Sequence, residues 1–238
     1  MVLKEKEGLE EYYTKNMSDR FKYISRDIVN YTQELLKGVG KKHVVIFIGR
    51  GSTPFYVAAR KLSPALGLDR SNTTLVQGGE FLRHLKARHR EGLKAFVRKL
   101  DLKSKNKAIV VDTGIKGTEV NSLSDVIKSV YPHLNVVGRL VYSNNPNIKG
   151  IKQADIYGPV DRLENFPQVP LILGYTKKGK PIYSKYNRYG GIRMDLPLSH
   201  EFGFSEVDEF LKNRFKADSK LFAGFLDKAV KEKIKEIK

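Results

Sequence analysis

One aspartate stands at the end of an apolar run, and a short loop rich in glycine and threonine follows it at once. The segment is KAIVVDTGIKGTEV, residues 107–120, and the aspartate is Asp112. A carboxylate in this position can accept hydrogen bonds from ribose hydroxyls or hold a hydrated magnesium ion. Backbone N–H groups and threonine hydroxyls in the loop can cradle a phosphate one ribose away. The segment therefore predicts a sugar-phosphate site, with Asp112 at the sugar and a phosphate cradle made of Thr113, Gly114, Ile115, Lys116, Gly117 and Thr118.

A second glycine-rich loop, residues 49–54, connects the apolar run HVVIFIG to a helical pattern. Its glycines let the backbone approach an anion closely, and the N–H groups at a helix N-terminus favour negative charge. Arg50 adds a fork-shaped donor that matches phosphate geometry. The alternative is a tight turn in which each glycine answers only a backbone requirement. On the first interpretation the loop is an anion site made of Gly49, Arg50, Gly51 and Ser52.

The composition excludes several classes of protein. The chain has no cysteine, so disulfides, thiolate metal sites and cysteine nucleophiles are ruled out. Its five histidines contain no His-x-x-x-His pair, and no zinc site is predicted. The first residues are charged and lack the apolar segment of a signal peptide, and no apolar run approaches the roughly 18 residues that span a bilayer. We therefore expect a soluble, cytoplasmic protein that does not enter a membrane.

The elements around the two loops alternate between strand and helix. HVVIFIG, TTLVQ, KAIVVD and LNVVGRLVYS are typical of strands buried on both faces, and ADIYGPV is a candidate for one more. Helices are expected from an N-cap at Ser18 to a stop at Gly38, within Gly78–Leu102, and from Thr118 onward. This alternation predicts an α/β fold, a central and mostly parallel sheet with helices on both faces. Ligands of such folds bind at the carboxyl ends of the strands, where both loops lie.

The pattern changes after about residue 160. This change divides the chain into residues 1–160, an α/β core with the N-terminal helix, and residues 161–238, a hood and hairpin segment with a C-terminal helical extension. In the second part, KKGK is predicted to form a hairpin turn. The tail helix carries an apolar stripe made of Phe222, Phe225, Leu226, Ala229, Val230 and Ile234. The stripe predicts packing on the same core or, in a homodimer, on a second copy of the chain.

The net charge of +18 predicts attraction to polyanions, either nucleic acid or phosphorylated small molecules. A lysine-rich surface that serves solubility or heat resistance would give the same charge. Basic residues are concentrated from Arg83 to Lys107, where Glu91 and Asp101 are the acids. This segment could bind a nucleic-acid backbone or close over a ligand as a lid. It could also be an exposed helix face whose inward side is Phe81, Leu82, Leu85, Leu93, Phe96, Val97 and Leu100.

Taken in order, these segments resemble the type I phosphoribosyltransferases. VVIFIGRGSTPFYVAARKL is similar to the family's pyrophosphate loop and KAIVVDTGIKGTEVNSL to its phosphoribosyl pyrophosphate signature, and the likeness covers residues 40–145. It implies a five-stranded parallel sheet with a smaller hood, bound Mg2+, and transfer of phosphoribose to or from a nucleobase. By position it implies Arg50 and Gly51 at the pyrophosphate, Asp112 at the ribose hydroxyls and the metal, and Thr113–Thr118 at the 5′-phosphate.

The resemblance also implies how catalysis would work and what selects the base. Arg50, Lys116 and magnesium would stabilise the departing pyrophosphate while the ribose gains cationic character. The hood would come from ADIYGPVDRLENFPQVP and the N-terminal helix, with Tyr157 or Phe166 stacking on the base or packing in the core.

Departures from the family pattern favour ligand binding over turnover. The family signature usually has two adjacent acidic residues, whereas Asp112 stands alone, and the loop after it is shorter. Catalytic members also place a flexible hairpin before the signature strand, and here a basic helix is predicted instead. The alternative on the same fold is a non-catalytic module that senses a nucleotide or binds nucleic acid. A sugar-phosphate isomerase-like domain is a third possibility, since GRGST resembles the phosphate loops of that class, although its second serine-rich loop is absent.

Overall fold

A computed structural model describes residues 2–49, 51–78, 80–113, 117–141, 151–153, 172–183 and 204–238. The helices are α1 (Val2–Lys37), α2 (Thr53–Leu62), α3 (Glu80–Arg83), α4 (Ala87–Arg98), α5 (Thr118–Val130) and α6 (Phe204–Ile237). The strands are β1 (His43–Ile48), β2 (Thr73–Val76), β3 (Lys107–Asp112), β4 (Asn135–Leu140), β5 (Ile151–Gln153), β6 (Ile172–Tyr175) and β7 (Pro181–Tyr183). Two short 3₁₀ helices, Ser63–Leu66 and Arg70–Asn72, connect α2 to β2.

Five parallel strands form the central sheet in the order β2-β1-β3-β4-β5. β1 and β3 are neighbours, with Phe47 opposite Val111. Their sequences are apolar and rich in β-branched residues because both faces of a parallel sheet are covered, so a side chain is buried whichever way it points. The fold is therefore α/β with a central parallel sheet flanked by helices, which confirms the prediction from the alternating pattern.

Alternate residues of β1 belong to two hydrophobic layers on opposite faces of the sheet. Val45 and Phe47 pack with α1, α2 and α6, whereas Ile46 and Ile48 pack with α3, α4 and α5. The connection from β1 to β2 and that from β3 to β4 run in opposite directions across the sheet. Since such crossovers are right-handed, α2 and α5 must lie on opposite faces.

The first helix is longer than the sequence pattern predicted. It begins at Val2, and Ser18 lies half-buried inside it, so the predicted N-cap was wrong. The segment before Ser18 is rich in Glu, Lys and Leu, whose high helix propensity lets the helix run through a residue that often caps. The predicted stop at Gly38 is confirmed, because α1 ends at Lys37.

α6 packs on α1 and buries the centre of the predicted apolar stripe. The ring centroids of Phe21 and Phe222 are 5.5 Å apart, and Leu226 and Val230 are buried beside them. The tail helix thus packs on the core of its own chain, while a homodimer stays a prediction. Within the described ranges, no helix is both long and apolar enough to cross a membrane.

β6 and β7 form the hairpin predicted around KKGK, with Gly179 in its turn at φ +71°. The side chain of Tyr175, the last residue of β6, is buried. Its ring lies edge-on to that of Phe81, with centroids 5.8 Å apart. The strand predicted in ADIYGPV and the predicted hood residues Tyr157 and Phe166 lie outside the described residues. The fifth strand of the sheet, β5, comes slightly earlier in the chain.

Candidate functional site

The loops after β1 and β3 lie side by side at the carboxyl edge of the sheet, because the two strands are paired in register. The strand order also reverses here: from β1 the chain moves first to β2 on one side, and then to β3 and β4 on the other. The crevice at such a switch point is the usual ligand site of an open parallel sheet. We call the described residues of these two loops, 49, 51–53, 112, 113, 117 and 118, the β1–β3 crevice.

The two loops of the crevice meet at Gly51 and Thr113. A Cβ atom added to Gly51 would overlap the Thr113 hydroxyl oxygen and would lie 3.3 Å from Thr113 Cβ. Gly49 is required for another reason, since its φ of +66° lies in the left-handed region that side chains disfavour. Gly49 therefore allows the chain to turn, and Gly51 leaves space for the neighbouring loop.

The hydroxyl groups of the first loop point back toward the strand. The Ser52 hydroxyl donates to the carbonyl oxygen of Ile48, and Thr53 Oγ1 donates to that of Gly49 at 3.1 Å. Ser52 was predicted to bind ligand, and the structure shows that its buried side chain fixes the loop. The groups that the start of α2 can offer to an anion are therefore main-chain N–H groups. Arg50 lies outside the described residues.

Asp112 opens the second loop and is only 6% exposed. Its Oδ1 accepts a hydrogen bond from the backbone N–H of Thr113 at 2.7 Å. Its carbonyl oxygen accepts another from the N–H of Val141 at 2.8 Å, which extends the pairing of β3 with β4. The carboxylate is thus held by its own loop, and the main chain of Asp112 is held by the sheet, as a group that orients a ligand requires.

α5 begins at the far end of the second loop. Gly117 is its N-cap residue, with φ +67°, and the exposed Thr118 is its first residue. The Gly117 carbonyl oxygen accepts the Asn121 N–H at 3.0 Å and closes the first turn. The middle of the predicted phosphate cradle, Gly114, Ile115 and Lys116, lies outside the described residues.

Two helix N-termini reach the crevice, one from each face of the sheet. α2 has 10 residues and α5 has 13, so each carries a partial positive charge at its first turn. The first turn of α2 contains no acidic residue, whereas that of α5 contains Glu119. The helix N-termini therefore favour an anion at each side of the crevice, more strongly at the α2 side, whereas the Asp112 carboxylate opposes an anion placed against it.

The side chains of the crevice limit how magnesium could be held. Within the described ranges, no group of three or more His, Cys, Asp and Glu side chains could hold a metal ion. Magnesium is usually bound through one or two carboxylates together with waters and ligand phosphates. Asp112 therefore fits a magnesium ion that arrives with a phosphorylated ligand, and the described side chains around it do not form a complete metal site by themselves.

The segment after β2 also borders the crevice, which the sequence interpretation missed. A Cβ atom on Gly49 would lie 3.7 Å from the Gly78 backbone. The Tyr175 hydroxyl donates to the carbonyl oxygen of Gln77 at 2.9 Å and ties the hairpin to this segment. The available signal was the dipeptide Gly78-Gly79 directly after a strand, since adjacent glycines mark close backbone approach.

A second missed feature lies on the α1 face of the sheet. Arg139 is opposite Val111 in the β3–β4 register, close to the carboxyl edge. Burial raises the pKa of Tyr31 to about 12, and the positive charge of Arg139 opposes this rise. Among the described residues, neither the Tyr31 hydroxyl nor Arg139 Nε has a hydrogen-bond partner. Sequence periodicity could not reveal this pair, because Tyr31 fits the apolar stripe of α1.

Comparisons of the chain with protein-family models, with curated proteins and with solved structures find no match. What the crevice binds is therefore inferred from its own geometry and chemistry.

Proposed function

We propose that the β1–β3 crevice binds a phosphorylated ribose, either phosphoribosyl pyrophosphate or a nucleoside monophosphate. Asp112 accepts hydrogen bonds from the ribose hydroxyls, residues 113–118 bind the 5′-phosphate, and residues 49–52 bind the pyrophosphate. The observation that carries the proposal is the contact between Gly51 and Thr113. It brings two anion-binding loops within reach of one small ligand.

The position of Asp112 narrows the class of ligand. An ionised carboxylate only accepts hydrogen bonds, so it repels phosphate oxygens and attracts hydroxyl groups or a cation. The helix N-termini on either side favour anions. A ligand that suits both has hydroxyl groups, or a metal ion, between two negatively charged groups. A ribose with phosphates at its 5′ and 1′ positions has this order of groups.

The reaction that such a ligand supports is phosphoribosyl transfer. A base nitrogen attacks the anomeric carbon, the bond from that carbon to the pyrophosphate oxygen breaks, and the base nitrogen releases its proton. Asp112 orients the ribose, while Arg50 and Lys116, both outside the described residues, neutralise charge on the leaving group. Magnesium that enters with the pyrophosphate would share this neutralisation. Binding without transfer, as in a nucleotide sensor, is the alternative that the lone signature acid supports.

Isothermal titration calorimetry tests the proposal, with phosphoribosyl pyrophosphate plus magnesium chloride and with each common nucleoside monophosphate. We expect the wild type to bind at least one of these ligands. Asp112→Asn should weaken that binding about a hundredfold, because hydrogen bonds to a charged acceptor contribute about 1.5–3 kcal/mol each. A folded wild-type protein that gives no heat with any of them would overturn the proposal.

Asp125→Asn is the matched control, since Asp125 is exposed on α5 and the same charge is removed. This variant should bind like the wild type. Release of pyrophosphate in the presence of each nucleobase then separates a transferase from a sensor. Removing a negative charge should by itself strengthen the binding of an anion, so equal losses in both variants would show that binding does not depend on contact between Asp112 and ribose.

A further inference from the structure

The basic segment of the sequence folds as an amphipathic helix whose exposed side is cationic. Leu93 and Val97 of α4 are fully buried against the sheet, which confirms the predicted inward face. Arg90 and Arg98 are exposed, and Lys94 lies between them along the same side of the helix. The α4 helix is thus packed as part of the core, with a row of cations along its outer surface.

The hairpin turn brings further cations against the neighbouring side of α4, which carries Gly92 and Lys99. Gly179 lies directly over α4, and a Cβ atom there would be 2.5 Å from the Phe96 backbone nitrogen. Lys99 Nζ donates to the Lys178 carbonyl oxygen at 2.7 Å, across 79 positions of sequence. We call the combined patch the basic surface; its members are Arg90, Lys94, Arg98, Lys99, Lys177, Lys178 and Lys180.

One carboxylate lies within this patch. Glu91 accepts a hydrogen bond from Lys94 Nζ at 2.8 Å. That hydrogen bond lowers the pKa of Glu91, and the charges of Lys94, Arg98 and Arg90 lower it further. Lys94, Arg98 and Arg90 therefore all lie close enough to Glu91 to lower the pKa of its carboxyl group. With seven cations against one carboxylate, the surface keeps a strong positive charge.

The spacing of the cations suits a nucleic-acid backbone. Arg90, Lys94 and Arg98 follow each other at four-residue intervals, which is about 6 Å per step on an α-helix. The row spans about 12 Å, the axial length of three to four phosphates on one strand of a duplex. The exposed part of α4 carries no large apolar side chain of the kind that anchors a protein in a membrane. Leu173 and Ile182 are exposed on the hairpin strands and not in the turn.

We propose that the basic surface binds the sugar-phosphate backbone of nucleic acid without sequence selectivity. The hairpin turn and the last turn of α4 lie away from the β1–β3 crevice. α4 follows β2 and precedes β3, so its last turn lies at the amino edge of the sheet, opposite the crevice. The Tyr131 hydroxyl at the end of α5 donates to the Arg98 carbonyl oxygen at 3.0 Å and holds this end in place. The inference therefore stands independently of the proposed function.

Fluorescence polarisation with labelled 20-base single strands and duplexes of DNA and RNA, in unrelated sequences, tests this proposal. Affinity should be similar across sequences and should fall steeply as salt increases from 50 to 200 mM. The triple variant Lys177→Gln, Lys178→Gln and Lys180→Gln should bind roughly tenfold more weakly or worse. The slope of its plot of log affinity against log salt should be smaller in magnitude by about two to three than that of the wild type.

A variant of equal charge on the other face of the sheet provides the control. Lys22→Gln, Lys228→Gln and Lys235→Gln remove three exposed lysines from α1 and α6. This protein should keep wild-type affinity and salt slope, with thermal unfolding followed for every variant. Equal weakening in both triple variants would overturn the proposal in favour of bulk charge. The proposal would also be overturned if the protein bound phosphatidylserine vesicles through the turn lysines and did not bind nucleic acid.

Discussion

The β1–β3 crevice and the basic surface both suit phosphate, but they offer it different groups. In the crevice, the groups are backbone N–H donors and a carboxylate that is 6% exposed, all fixed by strand ends and helix starts. On the basic surface, they are side-chain cations that are largely exposed to solvent. Fixed donors select a ligand by shape, whereas mobile charges attract any polyanion.

This difference teaches that the net charge of +18 and the ligand of the crevice are separate questions. Seven of the 44 lysine and arginine residues form the basic surface, where α4 meets the hairpin. Changes confined to one region should therefore leave the other unaffected.

Gly51→Ala should have the largest effect and should act on the crevice alone. The added methyl group overlaps the Thr113 hydroxyl, so the two loops must separate. We expect ribose-phosphate affinity to fall about a hundredfold and the free energy of unfolding to fall by about 1–3 kcal/mol, the usual range for overpacking. Nucleic-acid affinity should not change. Calorimetry, denaturant unfolding and polarisation measure the three quantities.

Thr113→Ala in the same chain provides the rescue for this variant. It removes the hydroxyl that the new methyl group would meet, and it leaves Thr113 Cβ at 3.3 Å, where small shifts can relieve the contact. The double variant should recover the lost stability and part of the lost affinity, because Thr113→Ala also removes a hydroxyl of the proposed phosphate cradle. If Gly51→Ala binds ligand as tightly as the wild type, the two loops do not form one site.

Gly92→Ala should act on the basic surface alone, and more weakly. A Cβ atom there would meet the carbonyl oxygens of Tyr175 and Thr176, the latter at 2.6 Å, and main-chain atoms cannot rotate away. The hairpin must shift from α4 and carry its lysines with it. We expect about tenfold weaker nucleic-acid binding, about 1–3 kcal/mol lower stability, and unchanged ribose-phosphate affinity.

Gly224→Ala is the matched control, since Gly224 is also helical but has nothing within 4 Å of the added atom. There the change should be neutral or stabilising by up to about 1 kcal/mol, because alanine favours a helix. Loss of ribose-phosphate binding in Gly92→Ala would show that the hairpin supports the crevice through Tyr175 and Gln77. The two regions would then not be independent.

The sequence predicted the strands and the loops of the crevice better than their contacts. β1 and β3 were predictable because continuous apolar, β-branched runs occur where both faces of a sheet are covered. The carboxyl-end position of both loops followed from the alternation of elements. The contact of Gly51 with Thr113 did not follow, because it depends on the pairing of Phe47 with Val111, and registers are not encoded locally.

The basic surface was only half visible in the sequence. The cations of α4 form a local run, but the hairpin lysines join them across 79 positions through packing at Gly179. The start of α1 was missed because Ser18 has the side chain of a cap, whereas the favourable helix propensity on its N-terminal side decides the outcome. In both cases, interactions that span more of the chain outweighed the local sequence signal.

Tyr31 gives the smallest effect and tests whether the α1 face of the sheet excludes water. Its folded-state pKa of about 12 exceeds the unfolded value of about 10, so folding favours the protonated phenol. The stabilisation is complete below pH 10 and is lost as the pH rises through 12, with about 1 kcal/mol lost at pH 11. Tyr31→Phe should abolish this loss in denaturant unfolding, whereas Tyr23→Phe, at a position that is 63% exposed on the same helix, should retain it. Parallel pH profiles for the wild type and Tyr31→Phe would show that water reaches the hydroxyl in the folded protein.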